Sequence, residues 1–88
     1  MSWNKVSEVG FPKLGEVRDS VYSSTHIECL CAILDYKGNY CTVHYTYEKI
    51  RLLKGVVERW KDTYGTIVRA TDKIVAWMPF PKYEPENN

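Results

Sequence analysis

The chain lacks any apolar run long enough to cross a membrane, which takes roughly 18–20 residues with few or no charges. Its first residues, Met1-Ser2-Trp3-Asn4-Lys5, lack the apolar core of a secretory signal. The expectation is a protein of the cytoplasm that does not engage membrane. An excess of either charge is missing too: 12 Lys and Arg stand against 11 Asp and Glu, a net charge of +1. Such a chain has no long-range field with which to hold duplex nucleic acid, where phosphate neutralisation dominates affinity. The sequence contains no Gly-x-Ser-x-Gly, no glycine-rich phosphate loop and no His-Glu-x-x-His. Acidic residues occur singly, so no carboxylate pair presents itself for acid–base work. The reading is of a non-enzymatic protein with no catalytic residues and no cofactor.

Cysteine is also scarce. Cys29, Cys31 and Cys41 are an odd number in a chain without a secretion signal, which fits reduced thiols packed as small hydrophobes better than a disulfide framework. A metal reading would join Cys29-x-Cys31 to Cys41-x-x-His44. Cysteines two apart on an extended strand lie about 6.5–7 Å apart, however, whereas paired zinc ligands usually sit in a turn. A Cys–His nucleophile needs a depressed thiol pKa, which the apolar surroundings of Cys29 and Cys31 oppose.

What the chain does have is rings. With 44% hydrophobic and 14% aromatic residues it is not a disordered chain. At 88 residues it is one small domain that hides only roughly 60–65% of its unfolded surface, so Trp and Tyr must supply much of the core or of a partner surface. Residues 1–25 read as irregular, punctuated by Gly10-Phe11-Pro12 and Leu14-Gly15, with Trp3, Val6, Val9 and Phe11 anchoring this lead across an edge or end of a sheet. His26 to Asp35 is apolar on both alternating faces, the pattern of a central strand. Asp35 to Tyr40 carries the Gly and Asn of a tight hairpin turn. Tyr40 to Tyr47 then alternates, with Cys41, Val43, Tyr45 and Tyr47 on one side and Thr42, His44 and Thr46 on the side left to water or a partner.

From Glu48 to Trp60 the pattern is divided. Ile50, Leu53, Val57 and Trp60 have helical spacing, but Gly55 and Val56-Val57 break it, which predicts a short helix over Tyr47–Lys54 and a strand from Val56. Short strands follow at Thr66–Arg69 and Ile74–Met78, the last stopped by Pro79-Phe80-Pro81. The expected fold is α+β: a small antiparallel sheet of four to five strands with one short helix, spanning residues 1–82, and a flexible tail over 83–88.

Aromatic and basic residues interleave from Tyr36 to Tyr64. Tyr45, Tyr47 and Trp60 could stack a base while Arg51, Arg59 and Lys61 hold phosphates. The same pattern also fits rings in the core with solvated cations around them.

Two terminal motifs carry a resemblance. Trp3-x-x-Val6-Ser7-Glu8 with Pro12-Lys13-Leu14-Gly15-Glu16 at one end, and Ile74-Val75-Ala76-Trp77-Met78-Pro79-Phe80-Pro81 at the other, resemble the opening "W-I-S-V-x-x-x-L-P-x-x-G-E" and closing "W-M-P-L-P" of a small prophage family, the domain of unknown function numbered five-five-one. Ala76 departs from the His common at that position. The resemblance implies a viral origin, a small β-rich domain and Trp3 packed near Trp77, and it carries no catalytic residues. In that setting the expectation is a phage accessory protein that counters antiviral defence in the host cytoplasm. One route is a homo-oligomer that sequesters a nucleotide-derived signal between subunits, using the six residues above. The alternative is a protein–protein inhibitor that docks on and blocks a host enzyme or defence protein.

Overall fold

The computed structural model describes residues 2–83 and Pro85. Strands β1 (Asn4–Lys5), β2 (Ser24–Leu34), β3 (Tyr40–Leu52), β4 (Gly55–Lys61) and β5 (Ile74–Pro79) form one sheet in the order β1-β5-β2-β3-β4, and every pairing is antiparallel. The helical part is a four-residue turn, α1 (Val6–Val9), and a 3₁₀ turn at Thr71–Lys73.

β2 is the central strand, as its two apolar faces require. The β2–β3 turn closes as expected: Asp35 N–H donates to the Asn39 carbonyl at 2.8 Å, and Asp35 Oδ1 accepts from the N–H groups of Lys37 and Asn39. Gly38 supplies the left-handed residue at φ 84°.

The helix expected over Tyr47–Lys54 is a strand. β3 runs through it to Leu52, because Tyr47 to Ile50 pair with β2 on one side and with β4 on the other. Two ladders of backbone hydrogen bonds outweigh the weak preference set by helical spacing. Thr66–Arg69 is no strand of its own either; only Ile67 forms a single bridge, to Lys61.

Alternation gives the sheet two different faces. Ile27, Cys29, Cys31, Ile33, Val43, Tyr45, Tyr47, Trp60, Ile74 and Trp77 project to one face and meet Val6, Phe11 and Leu14 from the N-terminal lead. That lead therefore closes one edge of the sheet as β1, as expected, and then lies over one face as a second layer. Trp77 Nε1 donates to the Gly10 carbonyl at 2.8 Å, which pins the lead where it turns at Gly10 (φ 74°). The β1–β5 pairing brings Trp3 near Trp77 but leaves the two rings on different faces. Asn4 is the residue paired with Trp77, so Trp3 belongs to the opposite face and is 41% exposed. Val75 is the extra residue where the β2–β5 register shifts, a bulge that increases the local twist.

Of the expected tail over 83–88, Tyr83 and Pro85 are exposed; positions 84 and 86–88 lie outside the described residues.

Candidate functional site

The sheet divides the six residues expected to form a ligand site. Tyr45, Tyr47 and Trp60 point to the covered face, where Tyr47 is 6% and Trp60 0% exposed. Phe11 stands edge-on to Trp60 at 5.7 Å and Tyr47 packs on the same indole at 4.7 Å. Trp60 is thus a core ring with no free face to offer a base. Arg51 shares that face at the strand end, and its Nε donates to the Arg18 carbonyl at 2.7 Å while Nη2 lies 3.6 Å from Asp19. Its guanidinium holds the incoming segment. Arg59 and Lys61 project to the open face, where Arg59 Nε donates to Glu48 Oε2 at 3.0 Å and Lys61 Nζ lies 3.6 Å from Glu48 Oε1. The sheet itself therefore separates Arg59 and Lys61 from the rings, Arg51 is engaged at the strand end, and the set does not converge.

A different set does converge. On the open face His26 faces Glu48 across β2 and β3, Glu28 faces Thr46, and Lys61 of β4 faces Thr46 from the other side. Together with His44 these residues line an open cleft of about 490 Å³. His44 Nε2 lies 3.4 Å from Glu28 Oε1, and its ring stacks on Phe80 at 4.1 Å. Phe80 is placed by its own N–H, which donates to the Glu28 carbonyl at 2.9 Å just past the end of β5. At the rim, Asp62 Oδ1 accepts from the N–H groups of Tyr64 and Thr66, both at 2.9 Å, and fixes the turn there.

The charges of this cleft decide what it can take. Glu28, Glu48 and Asp62 line it against one ammonium, Lys61, and Arg59 beside it is already committed to Glu48. Even with Arg59 counted, carboxylates outnumber cations. Glu28 is the carboxylate most open to solvent, its side chain 53% exposed against 12% for Glu48. Such a cleft attracts a cationic group and repels phosphate.

The other half of the open face is more apolar, with Lys5 and Ser7 among its lining residues. Trp3, Ala32, Tyr40 and Ala76 line a shallow depression of about 370 Å³, with Tyr40 69% exposed. Neither this group nor the His44–Glu28 pair stood out in the sequence. A signal for the pair existed: once the turn is closed at Asp35–Asn39, the register places Glu28 opposite Thr46 and so on the face of His44.

The thiols occupy the covered face. Cys29 and Cys31 are fully buried there, while His44 projects to the open face, so strand alternation keeps the imidazole away from both the metal and the nucleophile arrangements considered above. Burial raises the thiol pKa of Cys29 from 9.0 to about 11, and burial with the neighbouring Cys29 raises that of Cys31 to about 12. Burial likewise raises the Tyr47 phenol, with Glu58 adding to it. Native protein at pH 8 should therefore react with a maleimide at Cys41 alone, and at all three thiols once unfolded. Because the folded thiols hold their protons where the unfolded ones release them near 9.0, this contribution to stability is complete below pH 9 and lost above it. The melting temperature should fall as pH rises from about 9 towards 12, and Cys29→Ala/Cys31→Ala should flatten that slope.

No known protein family, curated protein or solved structure matches this chain. Among the described residues, no helix is long and apolar enough to cross a membrane.

Proposed function

We propose that this chain is a non-enzymatic accessory protein that binds a protein partner through the open face of its sheet. In the viral setting implied by the resemblance to the prophage family, that partner is a host enzyme or defence protein in the host cytoplasm, blocked by the contact. One observation carries the reading: the open face joins exposed Trp3, Tyr40 and Phe80 to a cleft rich in carboxylate. Aromatic anchors beside a charged region have the composition of a protein-binding surface. The cleft suits a Lys or Arg side chain of the partner, and the apolar depression suits a neighbouring aliphatic or aromatic one.

Sequestering a nucleotide-derived signal has less support. Arg59 and Lys61 are engaged by Glu48, and the best stacking ring, Trp60, is sealed beneath the sheet.

The test is capture of a bacterial protein by the tagged chain, followed by titration of the purified pair. Trp3→Ala/Tyr40→Ala should weaken binding at least tenfold, as loss of two anchors does, and Glu28→Lys should weaken it further through repulsion of the basic group. Tyr22→Ala, away from this face, should leave it unchanged. Thermal stabilisation by cyclic or ADP-ribose-type nucleotides, with their release intact on heating, would overturn the proposal in favour of sequestration.

A further inference from the structure

We infer that the chain forms a two-fold dimer by pairing β4 with β4 of a second copy. β4 is an edge strand, its one sheet neighbour being β3. Val68 N–H donates to the Trp60 carbonyl at 2.9 Å from outside the sheet, so the outward-facing backbone groups are those of Trp60 and, by alternation, of Glu58 and Val56. The Trp60 end is covered by that bond. The N–H and C=O groups of Val56 and Glu58 have no backbone partner among the described residues.

Natural edges are usually blunted by short length, inward charges, proline or bulges. β1, at the other edge, has two residues, but β4 has seven and exposes Val56 and Val57. Its sequence also selects its own copy as the partner. An antiparallel pair centred on Val57 sets Val56 of each copy opposite Glu58 of the other, and all four outward groups of each strand bond at once. Val57 meets Val57 at the two-fold axis, an apolar contact. Glu58 stands opposite Val56 of the other copy, so the two Glu58 carboxylates lie diagonal to one another and not face to face. A register that set Glu58 against Glu58 would pair like charges and lose bonds.

The axis of such a pair stands perpendicular to the sheet, so the two sheets join as one and both open faces lie on the same side. The dimer would present two copies of the docking surface to one partner or to a symmetric one, with the gain in avidity that this brings. A pairing of few residues buries little area, and the dimer should assemble reversibly with concentration.

Three variants in a Cys41→Ser background test the register, since exposed Cys41 would otherwise cross-link on its own. Residues facing each other as a non-hydrogen-bonded pair have Cα atoms about 4.5 Å apart, within disulfide range. Val57→Cys should thus give a disulfide-linked dimer under mild oxidation. Leu53→Cys, in the β3–β4 turn away from the axis, should stay unlinked. Val56→Pro removes an N–H that points away from β3, so it should keep the fold by circular dichroism. By light scattering it should also reduce the mass to that of one chain, 10.3 kDa, at concentrations where the parent is dimeric. A parent chain that stays monomeric up to the millimolar range would overturn the inference. So would a dimer that survives Val56→Pro and leaves Val57→Cys unlinked. A monomer whose captured partner is lost on Val56→Pro would overturn it as well, by assigning the edge to a foreign strand.

Discussion

Trp60→Ala should cost about 3–5 kcal/mol, the range for removing a fully buried ring, and lower Tm by roughly 15–30 °C in a domain of this size. The magnitude follows from its place. The indole is 0% exposed and packs against both Phe11 and Tyr47, so alanine leaves a cavity bounded by aromatic faces that cannot collapse without moving the N-terminal lead. Small domains hold only about 5–15 kcal/mol in total, and the variant should be partly unfolded in warm cells. Calorimetry of Trp60→Ala beside Tyr64→Ala, a ring that is 92% exposed, makes the comparison internal. Nearly equal Tm values for the two would mean that Trp60 is not a core residue, as a surface stacking ring would not be.

Deleting residues 2–15 should have a larger effect. This lead supplies Val6, Phe11 and Leu14 to the core, and burying side chains of that kind is worth about 1.5–3 kcal/mol each. Removing them together uncovers Tyr47, Trp60 and Trp77 and takes away the Gly10 carbonyl that accepts from Trp77 Nε1. The shortened chain should lose its cooperative transition and bind a hydrophobic dye while keeping strand signal in the far-ultraviolet, the signature of lost packing. A sharp melt close to that of the full chain would show that the sheet stands without its second layer.

The parts of the fold that were legible were those set by period-two alternation and by turn chemistry. The central strand, its hairpin partner, the Asp35–Asn39 turn and the last strand all follow from patterns within ten or so residues. The stretch from Tyr47 to Leu52 did not, because its state is decided by strands on both sides of it, one of them more than twenty residues earlier in the chain. Helical spacing of Ile50, Leu53 and Val57 describes that segment equally well until those partners are known. The lead was legible as a covering element but not as a layer over the face, since nothing local says that Gly10 receives the Trp77 N–H.

The site was less legible for a related reason. Composition brought Tyr45, Tyr47, Trp60, Arg59 and Lys61 together as one aromatic and basic cluster, although adjacent residues of a strand project to opposite sides. Trp60 and Lys61 are neighbours in sequence, yet the first closes the core and the second lines the open cleft. Trp3, Glu28, Tyr40, His44 and Phe80 are scattered over most of the chain and share a face only through the β1–β5, β2–β3 and β2–β5 pairings.

Hydroxyl-radical footprinting of the chain, alone and bound to the protein it captures, tests the division of the sheet most directly. Trp3, Tyr40, Phe80 and His44 should react in the free chain and be protected in the complex, while Trp60 should be unreactive in both. Protection confined to Tyr22, Tyr36 or Tyr64, with the open face as reactive as before, would contradict it.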